Sequence, residues 1–163
     1  MKRMFAGWRM RYVARAGKPT ACLFCALRKT GDDAAHYVLE RGRHAFLVLN
    51  AFPYNSGHVM VSVGRHVGTI AGLTPAERAE VWRLAARAER AIQRVYRPQG
   101  MNLGINVGRC AGAGVDGHLH VHIVPRWNGD TNFMATVAET RVLPEDLATS
   151  YARLTTALRA LRK

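Results

Sequence analysis

Residues 117–127 read GHLHVHIVPRW, and this stretch constrains the fold more than any other in the chain. His118, His120 and His122 alternate with Leu119, Val121 and Ile123. A period of two marks a β-strand, whose successive side chains point to opposite faces of a sheet. One face of this strand is aliphatic and belongs in a core. The other carries three of the chain's 7 histidines. Whatever the fold, it must supply a sheet with a dry face and a face that accommodates three imidazoles.

The remaining patterns supply that sheet. Tyr37–Glu40, a turn at Arg41-Gly42-Arg43, and Ala45–Leu49 read as a hairpin. Pro, Asn, Ser and Gly make Ala51–Gly57 a loop, and His58–Val63 reads as a third strand. Met101, Leu103, Ile105 and Val107 alternate with Asn102, Gly104, Asn106 and Gly108, a fourth half-buried strand. Between the third and fourth strands, Thr74-Pro75-Ala76-Glu77 carries capping-box spacing with proline at the first helical position. Val81, Leu84, Ala85, Ala88, Ile92 and Val95 follow as one apolar stripe, and Pro98 and Gly100 end it. A C-terminal helix is expected from about Pro144-Glu145-Asp146, with Leu147, Leu154, Leu158 and Leu161 inward. Strands, a helix, strands and a helix in that order predict an α+β fold with an antiparallel sheet.

A chain of 163 residues with 48% hydrophobic content is expected to form one globular domain, spanning 20–163. Residues 1–19 are basic, weakly periodic and read as an arm. They lack the apolar run of a signal peptide, and no stretch reaches the roughly 20 apolar residues of a membrane span, so a cytoplasmic protein without a membrane partner is expected. The net charge of +13 favours polyanions such as nucleotides or nucleic acid, or else reflects a solvated basic surface. No aromatic interleaving or RNA motif accompanies the basic arm, so nucleic-acid binding is the less favoured reading.

Three imidazoles along one strand project almost in parallel and converge poorly on a single metal ion. A neutral imidazole, however, is a competent nucleophile towards phosphorus near pH 7, and its neighbours can fix its tautomer and neutralise phosphoryl charge. The glycine-rich segment Gly108–Val115 suits close backbone approach to an anion, beside a polar strand face bearing Asn102 and Asn106.

The motif HLHVHIV fits His-φ-His-φ-His-φ-φ, and the chain resembles the histidine-triad (HIT) nucleotide hydrolases and transferases. Leu47–Asn50, FPYNSGHVMV, Arg65-His66-Val67, NVGRCAGAGV and PRWNGDTNFM resemble family segments in the family's order, over roughly residues 20–150. The FPYNSGH and PRWNGDTNFM stretches most resemble a bacterial branch that includes diadenosine tetraphosphate phosphorylases. The resemblance implies that His120 takes the α-phosphoryl group as a covalent nucleotidyl-imidazole. It further implies that His122 contacts phosphoryl or bridging oxygens, that His58 supports the site, and that Asn50 binds ribose. Asn106 would reach the phosphate chain, with Gly112 and Gly114 lining it. A dinucleoside polyphosphate such as diadenosine tetraphosphate is the expected substrate, cleaved by phosphate or water, with adenosine 5′-phosphoramidate as the rival. A third triad position occupied by His122 rather than Gln disfavours the hexose-1-phosphate uridylyltransferase branch. Gly114 stands where many members carry Ser or Thr, which leaves leaving-group assistance to backbone amides. A homodimer through the long helix and an edge strand is also implied.

Cys22-Leu23-Phe24-Cys25 is, on its own, half a zinc site, a redox pair or two small buried residues. The resemblance implies a structural zinc held by Cys22, Cys25, His66 and His118, and no organic cofactor. Cys110 is expected to be a small buried residue, and Trp8 and Trp127 packing residues.

Overall fold

The computed structural model describes residues 22–131 and 145–161; the basic arm, Trp8 and Pro144 lie outside them. Five strands form one antiparallel sheet, β1 (Val38–Arg41), β2 (Ala45–Leu49), β3 (Val59–Val63), β4 (Gly100–Ile105) and β5 (His120–Arg126), in the order β1-β2-β3-β5-β4. The helices are α1 (Leu23–Lys29), α2 (Pro75–Tyr96) and α3 (Leu147–Ala160). The expected α+β fold is present, with its long helix after the third strand and a helix at the C-terminal end.

The long helix starts where its capping residues dictate. The Thr74 side chain accepts from the Glu77 amide at 3.2 Å, and the Glu77 carboxylate accepts from the Thr74 amide at 2.8 Å. Arg65 adds two bonds to the same carboxylate. Val81, Leu84, Ala85, Ala88 and Ile92 are buried as their spacing requires, and the helix closes on Arg97 in the left-handed region before Pro98. The third helix begins at Asp146, whose carboxylate accepts from the Thr149 amide at 2.7 Å.

Helices α2 and α3 cover one face of the sheet. There, Leu47, Leu49, Val59, Val61, Val63, Leu119, Val121 and Ile123 form the main core with Leu84, Ile92, Leu154 and Leu158. Each large aliphatic side chain taken fully from water contributes roughly 1.5–3 kcal/mol before entropy is counted. The opposite face carries a smaller cluster of Phe24, Val38, Phe46, Val48 and Met60. Arg87 of α2 crosses between elements: it pairs with the buried Glu40 of β1 at 3.0 Å and donates to the Leu158 and Leu161 carbonyls at the end of α3.

Two details depart from the periodic reading. The fourth strand ends at Ile105 instead of running to Gly108, because Asn106 turns its side chain to the Gly112 carbonyl and Gly108 adopts a positive φ of 83°. Helix α1 lacked a sequence signal: it has 7 residues and one buried side chain, Phe24, too few for a visible stripe. Among the described residues, no helix is long and apolar enough to cross a membrane.

Candidate active site and metal centre

Strand β5 lies between β3 and β4, and its even-numbered positions face away from α2. Ser62 stands opposite His120 on β3, and Gly104 stands opposite His122 on β4. Ser62 and Gly104 are small and leave room for the imidazoles, while Met60 stands opposite His122 on β3. Asn106 follows directly on the end of β4, whose last paired residue, Ile105, stands opposite Val121.

The hydrogen bonds around His120 and His122 determine their tautomers. His120 is buried, with Nδ1 2.8 Å from the main-chain oxygen of His118. A carbonyl can only accept, so Nδ1 carries the proton and Nε2 keeps a free lone pair. Burial pushes the His120 pKa down, favouring that neutral form.

For His122 the order is reversed. The Tyr54 amide donates to His58 Nδ1 at 3.1 Å, so neutral His58 carries its proton on Nε2. That Nε2 lies 3.0 Å from His122 Nδ1 and donates to it, which leaves the His122 proton on its own Nε2. Burial first, and repulsion from His120 second, lower the His122 pKa to about 4. The rings of His120 and His122 are 4.8 Å apart at 70°. One therefore offers a lone pair and the other an N–H.

Asn50 sits at the end of β2, its side-chain nitrogen 3.4 Å from the His58 ring and its oxygen accepting from the Phe52 amide at 2.9 Å. Tyr54 lies over the pair, its ring centroid 4.8 Å from His58 and 6.3 Å from His122. Tyr54 lies on the loop expected before β3, and no sequence pattern ties it to the histidines. The glycine-rich segment forms a 3₁₀ turn, Arg109–Ala111, whose Gly112 amide donates to the Arg109 carbonyl at 3.0 Å. Asn106 anchors that turn through the Gly112 carbonyl, and Gly114 is exposed. Cys110, expected to be buried, is exposed instead. It lies on this polar turn outside the strands, where no core packs against it.

A second cluster adjoins the first through His118. Its Nδ1 lies 3.2 Å from Cys22 Sγ and 3.6 Å from Cys25 Sγ, while His66 Nδ1 is 3.4 Å from Cys25 Sγ. All four donor atoms lie within 4.8 Å of one another. Tetrahedral bonds of about 2.3 Å to sulfur and 2.0 Å to nitrogen put ligand atoms roughly 3.3–3.8 Å apart, so these spacings fit one ion. The His118 Nε2 donates to the Val63 carbonyl at 2.8 Å, which leaves the Nδ1 lone pair directed at the sulfurs. The four side chains thus make a group able to bind a metal.

Residues 32–129 match the family model described as the HIT domain. The chain belongs to the HIT domain family. The chain is 37% identical over 168 aligned residues to an AP-4-A phosphorylase of Mycobacterium tuberculosis, covering 94% of this chain and 86% of that protein. It is also 33% identical over 93 residues to an asymmetrical bis(5′-nucleosyl)-tetraphosphatase of Schizosaccharomyces pombe, over 57% of this chain and 50% of that one. Among solved structures, the fold matches a zinc-bound histidine triad family protein from Mycobacterium smegmatis with a TM-score of 0.70 and 29% identity, covering 88% of this chain and 96% of that chain. The structure brings His58, His120, His122 and Asn50 of the HIT domain together, and gathers His66 and His118 with Cys22 and Cys25, which precede the matched residues, beside them.

Proposed function

We propose that this protein is a nucleotidyl transferase or hydrolase of dinucleoside polyphosphates, with diadenosine tetraphosphate as the leading substrate and His120 as the nucleophile. The observation that carries the reading is the pair of opposed tautomers: His120 presents an Nε2 lone pair, and His122 presents an Nε2 proton. The likeness to the AP-4-A phosphorylase supports the substrate class. A dense positive charge of +13 also suits a ligand bearing several phosphates.

In the first half-reaction, the His120 Nε2 lone pair attacks the α-phosphorus and a P–N bond forms. The α-phosphorus–bridging-oxygen bond breaks, and the nucleoside polyphosphate leaves with that electron pair. The His118 carbonyl holds the proton on Nδ1 as the ring becomes cationic. His122 donates its Nε2–H to a phosphoryl or bridging oxygen, supplying the assistance that Gly114 cannot. Asn50 serves the ribose, and Asn106 with the Gly112–Gly114 segment serves the phosphate chain. In the second half-reaction an oxygen of phosphate or water attacks phosphorus and the P–N bond breaks. With phosphate, the products from diadenosine tetraphosphate are ADP and ATP.

Cys22, Cys25, His66 and His118 are read as a closed structural zinc site, which stiffens the segment before β5 and supplies no reacting group. Their thiols suit a reducing compartment, in keeping with a cytoplasmic enzyme. Residues 20–163 are taken as one catalytic domain with 1–19 as its arm. A homodimer is part of the same reading: among the described residues β4 has a neighbour on one side only, with Leu103 exposed, and Trp82 is exposed on α2.

Trapping decides the central claim. Protein mixed with labelled diadenosine tetraphosphate and quenched in base should carry an alkali-stable, acid-labile nucleotide, lost in His120→Ala. A labelled wild-type protein that yields no histidine adduct overturns the mechanism. Product analysis with and without phosphate then separates phosphorolysis from hydrolysis, and a phosphoramidate substrate tests the rival.

A further inference from the structure

Phe24 lies between the two cysteines of the metal cluster, is 1% exposed, and packs on the ring proposed as the nucleophile. Its ring centroid is 4.8 Å from that of His120 at 43°, and 5.2 Å from that of His118 at 50°. Phe46 supports it from behind, edge-on at 6.4 Å. No other side chain of α1 is buried.

The His118 carbonyl holds one atom of the His120 ring, its Nδ1. One hydrogen bond leaves the ring plane poorly defined, because rotation about the bond joining Cβ to the imidazole is broad. The Phe24 ring, tilted at 43° with its centroid 4.8 Å from that of the imidazole, restricts that freedom. The direction of the Nε2 lone pair follows from the ring plane, and attack at phosphorus needs that direction to be right.

We propose that Phe24 is a positioning residue for His120, fixing the plane of the nucleophilic ring from a helix that the metal cluster holds in place. The segment is pinned at both ends. Cys22 and Cys25 face His118 and His66 at its start, and Arg41 donates to the Leu27, Arg28 and Thr30 carbonyls at its finish. The inference rests on the proposed function of His120, and on the aromatic contact independently of any substrate.

The test uses the full-length, metal-loaded protein and two variants, Phe24→Ala and Phe24→Leu. In ¹⁵N-histidine-labelled wild type, the His120 Nδ1–H should give a protected signal, assigned by its loss in His120→Ala. In Phe24→Ala that signal should broaden or vanish while metal content stays at the wild-type level. Its kcat should fall on the order of 10- to 100-fold with KM within about twofold. Phe24→Leu, which fills the space without a flat face, should fall between the two. A folded Phe24→Ala with wild-type kcat, or with a loss confined to KM, overturns the proposal. If Phe24→Ala does not fold, Phe24→Leu decides alone: a broadened signal with lower kcat upholds the role, and wild-type values of both reject it. The NMR arm needs no substrate, so failure of the adduct chemistry and failure of this positioning are read separately.

Discussion

His58 Nε2 lies 3.0 Å from His122 Nδ1, and through this contact a residue on a loop sets the proton position of a residue on the inner strand β5. The Tyr54 amide determines the state of His58, because a backbone N–H cannot accept. Three groups in series thus make His122 a hydrogen-bond donor on its outward nitrogen.

Replacing His58 should therefore damage chemistry more than binding. His58→Phe keeps a ring in place but supplies no donor to His122, leaving both tautomers accessible. A fall in kcat of about 10²-fold with KM changed little is expected. Pre-steady-state measurement of adduct formation checks it; a slowed second half-reaction alone would contradict the assignment.

The pH dependence follows from burial at His122. Its folded pKa of about 4 lies below the ordinary value of 6.5, so in the folded protein it stays neutral until the pH approaches 4. The acid limb of kcat/KM for this group should accordingly fall near pH 4, well below 6.5. Stability moves in the same direction. Between pH 6.5 and about 4 the unfolded chain binds this proton first, so stability is fully present above 6.5 and declines as pH falls through the window. Urea midpoints at pH 7 and pH 5 should be ordered accordingly.

Metal removal should act on stability across the sheet's polar face. Chelation, or Cys22→Ser with Cys25→Ser, leaves His118 and His66 without a common partner and frees the start of α1. A drop in Tm on the order of 10 °C is expected, restored in the chelated wild type by zinc. Cys110→Ser, on the exposed 3₁₀ turn, should change neither Tm nor metal content.

Glu77 offers a test of the fold remote from the histidines. Bonds from Arg65, followed by that from the Thr74 amide, lower its pKa to about 2 from an ordinary 4.5. Glu77→Gln should cost about 1–2 kcal/mol at pH 7. Since the folded value is the lower one, the stabilisation is complete above 4.5 and disappears as pH falls towards 2. The gap between wild type and variant should narrow markedly in denaturant titrations run at pH 2.5.

The residues that repeat or cap were legible in the sequence. Thr74, Pro75 and Glu77 marked the long helix because the chemistry of a helix start is local. The alternation of His118–Ile123 marked β5 because a strand's period is visible over five residues. Phe24 and Tyr54 were not legible as parts of the site: Phe24 reaches His120, and Tyr54 reaches His122, across a large sequence separation, and one aromatic residue in a short helix or loop carries no periodicity. Cys110 was misread because residue type predicts burial only where an element lies beneath it. The convergence of Cys22 and Cys25 on His66 and His118 came from family resemblance, since spacing alone left three chemistries open for the cysteine pair.

The inner position of β5 has a bearing on how the protein can fail. Its neighbours on both sides hold a single register, with Leu119, Val121 and Ile123 in the core and the imidazoles on the reverse. A slip of one residue would drive imidazoles into the aliphatic layer and bring three large apolar side chains out of it. A molecule with its histidines on the wrong face therefore also lacks a core. Folding proofreads the active site, and a compact but catalytically scrambled form of the domain should not accumulate.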